Sequence, residues 1–160
     1  MPTLAVNKRA NYDYDIREKY EAGLVLLGHE VKSVKTGHVN LKGSFVTLRQ
    51  TRDEPLKKQS KLPELYLVNA HIPLYNRAGT VKDYDPYRAR KLLLKKSEIR
   101  HLIGKKQEQG LTLVPIKIYT KRSFVKLEFG IGRGKKKVDK REMIKKREVE
   151  RRMRTLIKRG

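Results

Sequence analysis

The chain has 160 residues, no cysteine, and 40 Lys/Arg against 17 Asp/Glu, for a formal charge of +23 and a pI near 10.3. Those numbers exclude a disulfide framework and a thiolate metal site, and they point to polyanionic partners: nucleic acid, an anionic membrane or an acidic protein. No apolar run approaches the ~18 residues of a membrane span, the first residues hold no apolar signal region, and the composition fits a cytoplasmic protein.

The length favours one domain with an appendage. Residues 133–160 carry 14 Lys/Arg and 4 Asp/Glu, a net +10, leaving +13 for the rest. Residues 1–132 therefore read as a folded body and 133–160 as a basic tail.

Along the chain, residues 1–11 read as a solvated arm ending in Asn7-Lys8-Arg9-Ala10. From Tyr12, the alternation of Tyr12, Tyr14 and Ile16 with charged residues predicts a strand running to Leu27. Ala22-Gly23 marks a bulge or bend inside it. A helix over residues 16–22 is the competing reading. Residues 28–37 predict a short helix stopped by Gly37. Residues 44–49 and 64–70 predict strands, with a polar loop over 50–62 between them.

Asp85-Pro86 reads as a helix start, so Arg88, Arg90, Lys91, Lys95 and Lys96 are expected on a helix whose Leu92–Leu94 pack inward. Ser97-Glu98 opens another helix, with Ile99, Leu102 and Ile103 on one face and Gly110 as its stop. Residues 111–119 and 124–130 form two strands joined by a basic loop, Thr120-Lys121-Arg122-Ser123. Pro115 predicts an edge or a bulge in the first of these. The glycines of Gly130-Ile131-Gly132-Arg133-Gly134 read as a flexible joint. Five or six strands with about three helices predict a mainly β protein with short helices. The expected architecture is a small antiparallel barrel of oligonucleotide-binding type.

Catalytic chemistry has little to stand on. His29, His38, His71 and His101 are scattered and lack the i, i+4 spacing of a zinc site. No Walker pattern is present, no cofactor is implied, and the chain is expected not to be an enzyme. Lys8, Arg9, Arg88, Arg90, Lys91, Lys121 and Arg122 instead suggest a phosphate-binding surface. Tyr12, Tyr14, Tyr20, Tyr84 and Tyr87 are candidates for stacking on unpaired bases, and for strand packing. In the tail, Val149, Met153, Leu156 and Ile157 fall at i, i+4, i+7 and i+8. That spacing predicts a narrow apolar stripe on a helix that is marginal alone and forms on a polyanionic partner.

Several segments together resemble one bacterial family, the SsrA-binding proteins (small protein B), partners of transfer-messenger RNA. They are Asn7-Lys8-Arg9-Ala10, Tyr20-Glu21-Ala22-Gly23-Leu24, Gly28-x-Glu30-Val31-Lys32-Ser33, and Asp85-Pro86 with Arg88-x-Arg90-Lys91-Leu92-Leu93-Leu94. Gly134-Lys135-Lys136 and Asp139-Lys140-Arg141 complete the set, in family order. The resemblance implies an oligonucleotide-binding barrel that holds the tRNA-like domain of transfer-messenger RNA and delivers it to stalled ribosomes.

It also implies that Asn7, Glu21, Gly23 and the Arg90-Lys91-Leu92-Leu93-Leu94 segment lie on the RNA-binding side. Gly134, Lys135, Lys136, Asp139, Lys140 and Arg141 are implied to meet the decoding region of the small subunit. Leu156 and Ile157 are implied to act in the messenger channel. The expected partners are that RNA and the ribosome, with no membrane role, for a monomeric protein. Val138 departs from the family, where many members carry histidine before Asp-Lys-Arg. Residues 51–62 are longer and more basic than the family pattern.

Overall fold

The structure is a computed structural model that describes residues 2–50, 62–75, 83–108 and 110–159. The expected loop over 50–62 lies mostly outside the described residues. Seven strands are present among the described residues: β1 (Thr3–Val6), β2 (Tyr14–Leu24), β3 (Phe45–Arg49), β4 (Glu64–Val68), β5 (Arg90–Leu93), β6 (Leu111–Lys121) and β7 (Phe124–Gly134). Four helices accompany them: α1 (Ala10–Asp13), α2 (Gly28–Lys35), α3 (Lys96–Lys106) and α4 (Lys137–Arg159). All pairings are antiparallel, in the order β1-β6-β7-β2-β5-β4-β3. The mainly β reading with short helices holds, and the sheet is that of a small oligonucleotide-binding-like fold. The ladder does not close: β3 approaches β6 without a hydrogen-bonded register between them.

The curvature has identifiable sources. The β6–β7 ladder shifts between Pro115 and Lys117, so Pro115 marks a bulge as its missing N–H requires. A second shift falls between Ile16 and Glu18 on β2. The expected bend at Ala22-Gly23 is thereby corrected: the irregularity is at Arg17. Gly23 instead sits in regular register with both β7 and β5.

The core lies on the inner face of the curved sheet. Ala22, Val46, Leu65, Leu67, Leu92, Ile118, Leu127 and Phe129 alternate inward from six strands, and Val34 of α2 and Leu102 of α3 cover the ends. Glu30 begins α2 by accepting the Leu27 N–H at 2.8 Å, and Gly37 ends it at φ +84°.

Four further expectations are corrected. Residues 3–6 are a strand against β6, where a solvated arm was expected. The Asp85-Pro86 helix is absent: residues 86–87 turn, and Arg90–Leu93 is a strand between β2 and β4. Its period is two, with Arg90 and Leu92 inward and Leu93 out, which three consecutive leucines concealed. The hairpin loop expected over 120–123 shortens to Arg122-Ser123, because both ladders run to Lys121 and Phe124. Gly130, Gly132 and Gly134 lie inside β7 and form no joint. A Cβ on Gly130 would stand 2.6 Å from the Ile16 methyl and 2.8 Å from the Glu18 carbonyl oxygen. The glycines let β7 cross the β2 bulge at close range.

Candidate nucleic-acid interface

The outer face of β2, β5, β6 and β7 is laid out by register. Tyr119, Lys126, Gly23 and Leu93 form one row across β6, β7, β2 and β5. Lys117, Glu128 and Glu21 form the next row on one side, and Lys121 with Phe124 the row at the hairpin. This brings together Glu21, Gly23, Lys121 and Arg122, four of the residues singled out in the sequence. The Tyr119 hydroxyl donates to Glu21 Oε2, and Lys121 Nζ lies 3.4 Å from Oε1. Those two contacts hold the Glu21 carboxyl below the ordinary carboxylate range, the tyrosine hydrogen bond most strongly. Burial, and then Glu21 itself, push the Tyr119 hydroxyl up. Glu21 therefore stays ionised and partly exposed, with acceptor capacity left for a base amino group.

A second basic region forms where α1 meets the start of α4. The Asn7 backbone N–H donates to the Ile116 carbonyl at 2.7 Å and its side-chain amide to Pro115 O at 2.8 Å. Asn7 thus clamps the turn carrying Lys8 and Arg9 onto the β6 bulge. Arg9 pairs with Asp13 at 3.2 Å and lies over the Tyr12 ring. Lys140, from α4, reaches the same Asp13 at 3.2 Å and lies 5.7 Å from the centre of the same Tyr12 ring. Asp13 is accordingly held below its ordinary value, first by the Arg9 hydrogen bond and also by Lys140. Lys135 donates its backbone N–H to Asp13 O and its Nζ to Asn11 O at 2.6 Å. A cleft of about 730 Å³ opens beside Asn7, Lys8 and Arg9, with Lys42 and Phe45 across it.

Lys135 Nζ also meets Met143 Sδ, and from Ile144 to Ile157 every residue of α4 is exposed. Ile144, Val149, Met153, Leu156 and Ile157 are exposed, the last two at 70% and 79%. Lys136 and Arg141 are exposed as well, and Gly134 ends β7. Asp139 belongs to the first turn of α4 by its backbone.

Two singled-out arginines belong to neither region. Arg90 is wholly buried and donates through Nε and Nη2 to Glu30 Oε2 at 2.9 and 2.6 Å, and through Nη1 to Ala70 O. Arg88 also donates to Glu30, and Tyr84 adds a hydroxyl at 2.9 Å. Burial by itself would raise the Glu30 carboxyl. Arg88, the Leu27 N–H and Arg90 outweigh it and bring the value down to about 2. The expectation that Arg90 lies on a basic helix face touching RNA is corrected: its charge is spent inside the fold. Lys91 does face outward, at 3.0 Å from Glu64.

Of the tyrosines proposed for stacking, Tyr20 packs on Phe129, Tyr84 serves Glu30, and Tyr12 lies under Arg9 and Lys140. Tyr87 is the one that is more than half exposed, beside His71. Sequence reasoning missed Phe124, Lys126, Lys42 and Phe45, while Leu93 lies on the outer face as the resemblance implied for its segment. Strand alternation already puts Phe124 with Lys126 and Glu128, and Phe45 with Thr47 and Arg49, on the face away from the core; the register then shows which residues of other strands lie beside them.

A basic open barrel with aromatic and cationic side chains on its outer face, and a basic helix at its end, defines a nucleic-acid-binding protein. Comparison with known proteins narrows the class. The family model for SmpB protein matches residues 4–159. The SsrA-binding protein of Acaryochloris marina is 45% identical over 154 residues, covering 96% of this chain and 92% of that one. That of Geobacillus kaustophilus is 49% identical over 148 residues, 92% and 87% of the two chains. A solved structure described as "tmRNA-SmpB: a journey to the center of the bacterial ribosome" superposes with a TM-score of 0.62 at 45% identity, covering 86% and 87%. The chain belongs to the SmpB family.

Proposed function

We propose that this chain is a non-catalytic adaptor of ribosome rescue. It binds the tRNA-like domain of transfer-messenger RNA and carries it to stalled ribosomes in the cytoplasm. The observation that carries this reading is the family match over 4–159, with relatives named for SsrA binding and a neighbour described as tmRNA-SmpB in the ribosome. The geometry supports a division of labour. Glu21, Gly23, Lys91, Lys121 and Arg122, on the outer face, together with Asn7, Lys8 and Arg9, grip one RNA. Lys135 and Lys136 lead into a helix whose first turns hold Asp139, Lys140 and Arg141 and whose last turns carry the exposed Leu156 and Ile157.

The tail's chemistry suits a channel lined by RNA. Charge draws it to the ribosome, and the apolar stripe gives the helix an orientation once there. With few contacts to the body, this helix depends on its partner for most of its stability. Arg88 and Arg90 act at a distance, by holding the β5 segment that carries Lys91.

The test uses the full chain and a truncation after Lys136. Binding to transcribed transfer-messenger RNA is measured by gel shift, and tag addition on stalled ribosomes in purified translation. The truncation is expected to bind within a few-fold of the full chain and to add no tag. Full-chain binding with no preference for this RNA over a ribosomal RNA fragment of equal length would overturn the proposal.

A further inference from the structure

The hairpin tip between β6 and β7 carries an unusual combination. Phe124 is 69% exposed in a strand whose inward neighbours, Val125 and Leu127, are buried. A large apolar ring placed at such a tip gains nothing from the core. Its surroundings explain what it can meet. Lys121 is its cross-strand partner, and Arg122 stands on the connecting turn. Gly23 is its diagonal neighbour across the β2–β7 ladder, through Lys126, at the ~7–8 Å that an aromatic side chain can span.

Gly23 has no side chain, so the sheet surface dips there. The dip is walled on the far side by Leu93, 55% exposed, whose Cβ would lie 3.4 Å from a Cβ at Gly23. Val25, also exposed, continues the rim. The result is a short apolar floor with Lys121, Arg122 and Lys126 along one side of it. A lipid surface would need a broader apolar face than these three side chains provide. A planar, uncharged base attached to a phosphate chain matches both the floor and the flanking cations.

The turn itself is held under strain. Arg122 and Ser123 both adopt left-handed backbone conformations, φ 51° and 69°, although neither is glycine or asparagine. An Asn-Gly turn would remove that cost and also remove the guanidinium from the tip. Strain kept at a position carrying a cation next to an exposed aromatic points to use by a ligand.

We infer that Phe124 is a base-stacking residue: it and the dip over Gly23 receive one unpaired base of the transfer-messenger RNA, while Lys121 and Arg122 hold the adjoining phosphates. This rests on the function proposed above and adds a specific apolar contact to it. The contact is independent of charge, and that sets its signature. Phe124→Ala is expected to weaken binding roughly 10-fold. It should leave the slope of log affinity against log salt unchanged, whereas Lys121→Ala should lower that slope by about 1.

The chain has no tryptophan, so Phe124→Trp introduces a single reporter at the tip. Fluorescence titration with transfer-messenger RNA is expected to quench that indole, with affinity close to that of the wild type. Because the ring is exposed, neither substitution should change the unfolding midpoint, which is measured alongside. Phe124→Ala binding within two-fold of wild type would overturn the inference. So would an indole that responds to small ribosomal subunits and not to transfer-messenger RNA, since the tip would then read ribosomal RNA. Failure of the unmodified chain to bind the RNA would overturn the broader function, and this site with it.

Discussion

Glu30→Gln isolates the most consequential polar contact in the body. The substitution keeps shape but removes the charge that faces Arg90, whose side chain is wholly buried. An uncompensated buried charge costs ~3–5 kcal/mol. The titration of Glu30 gives a second route to the size. Its carboxyl lies at about 2 in the folded protein against an ordinary 4.5. At 1.36 kcal/mol per pH unit, that gap contributes ~3 kcal/mol of stability.

The sign follows from a depressed folded value. The contribution is fully present above pH 4.5 and is lost as the pH falls toward 2. Urea unfolding followed by circular dichroism, on the RNA-free protein, measures both effects. At pH 7 the variant should be ~3–5 kcal/mol less stable, equivalent to a melting point roughly 10–15 °C lower for a chain of this length. At pH 3 the deficit should be smaller by ~2 kcal/mol, because the wild type has lost most of its own advantage by then. A deficit under 1 kcal/mol at pH 7, or one that does not shrink in acid, would refute the structural role given to the Glu30–Arg90 pair.

Other substitutions separate folding from binding. Arg90→Glu should abolish RNA binding only by unfolding the body, so its melting transition disappears together with its gel shift. Retention of a native transition would contradict the buried position. Gly130→Ala should destabilise by ~2 kcal/mol or more, since its Cβ meets Ile16 and the Glu18 backbone below 3.0 Å. Gly104→Ala, on α3 with open space around it, should stabilise by ~1 kcal/mol, and thermal melts of the two variants decide both. Replacing Arg122-Ser123 by Asn-Gly should raise stability by ~1 kcal/mol while weakening RNA binding, as the turn relaxes and loses its cation.

Local patterns in the sequence carried much of the fold. Helix α2 is legible from Val31, Val34 and the stop at Gly37, and α3 from Ile99, Leu102 and Ile103. The β6–β7 pair is legible from its clean alternation, and the bulge from Pro115. Each depends on periodicity or backbone chemistry within one segment. Strand β1 escaped because four residues, Thr3 to Val6, give too short a pattern. The β5 segment escaped because an inward arginine broke the apolar alternation that marks a strand.

Charge, read from composition alone, determined that the partner is polyanionic, and ordered motifs from Asn7 to Arg141 determined the family. Tertiary structure alone decided which charges remain available. Arg90 and Lys91 are neighbours in sequence, yet one faces Glu30 in the core and the other faces solvent, because a strand sends successive side chains to opposite sides. Sixty residues separate Glu30 from Arg90, and no local rule couples them. The same holds outside the core. Gly23, Lys121 and Phe124 form one surface only through the β2–β7 and β6–β7 registers, which are fixed by packing on the opposite face of the sheet.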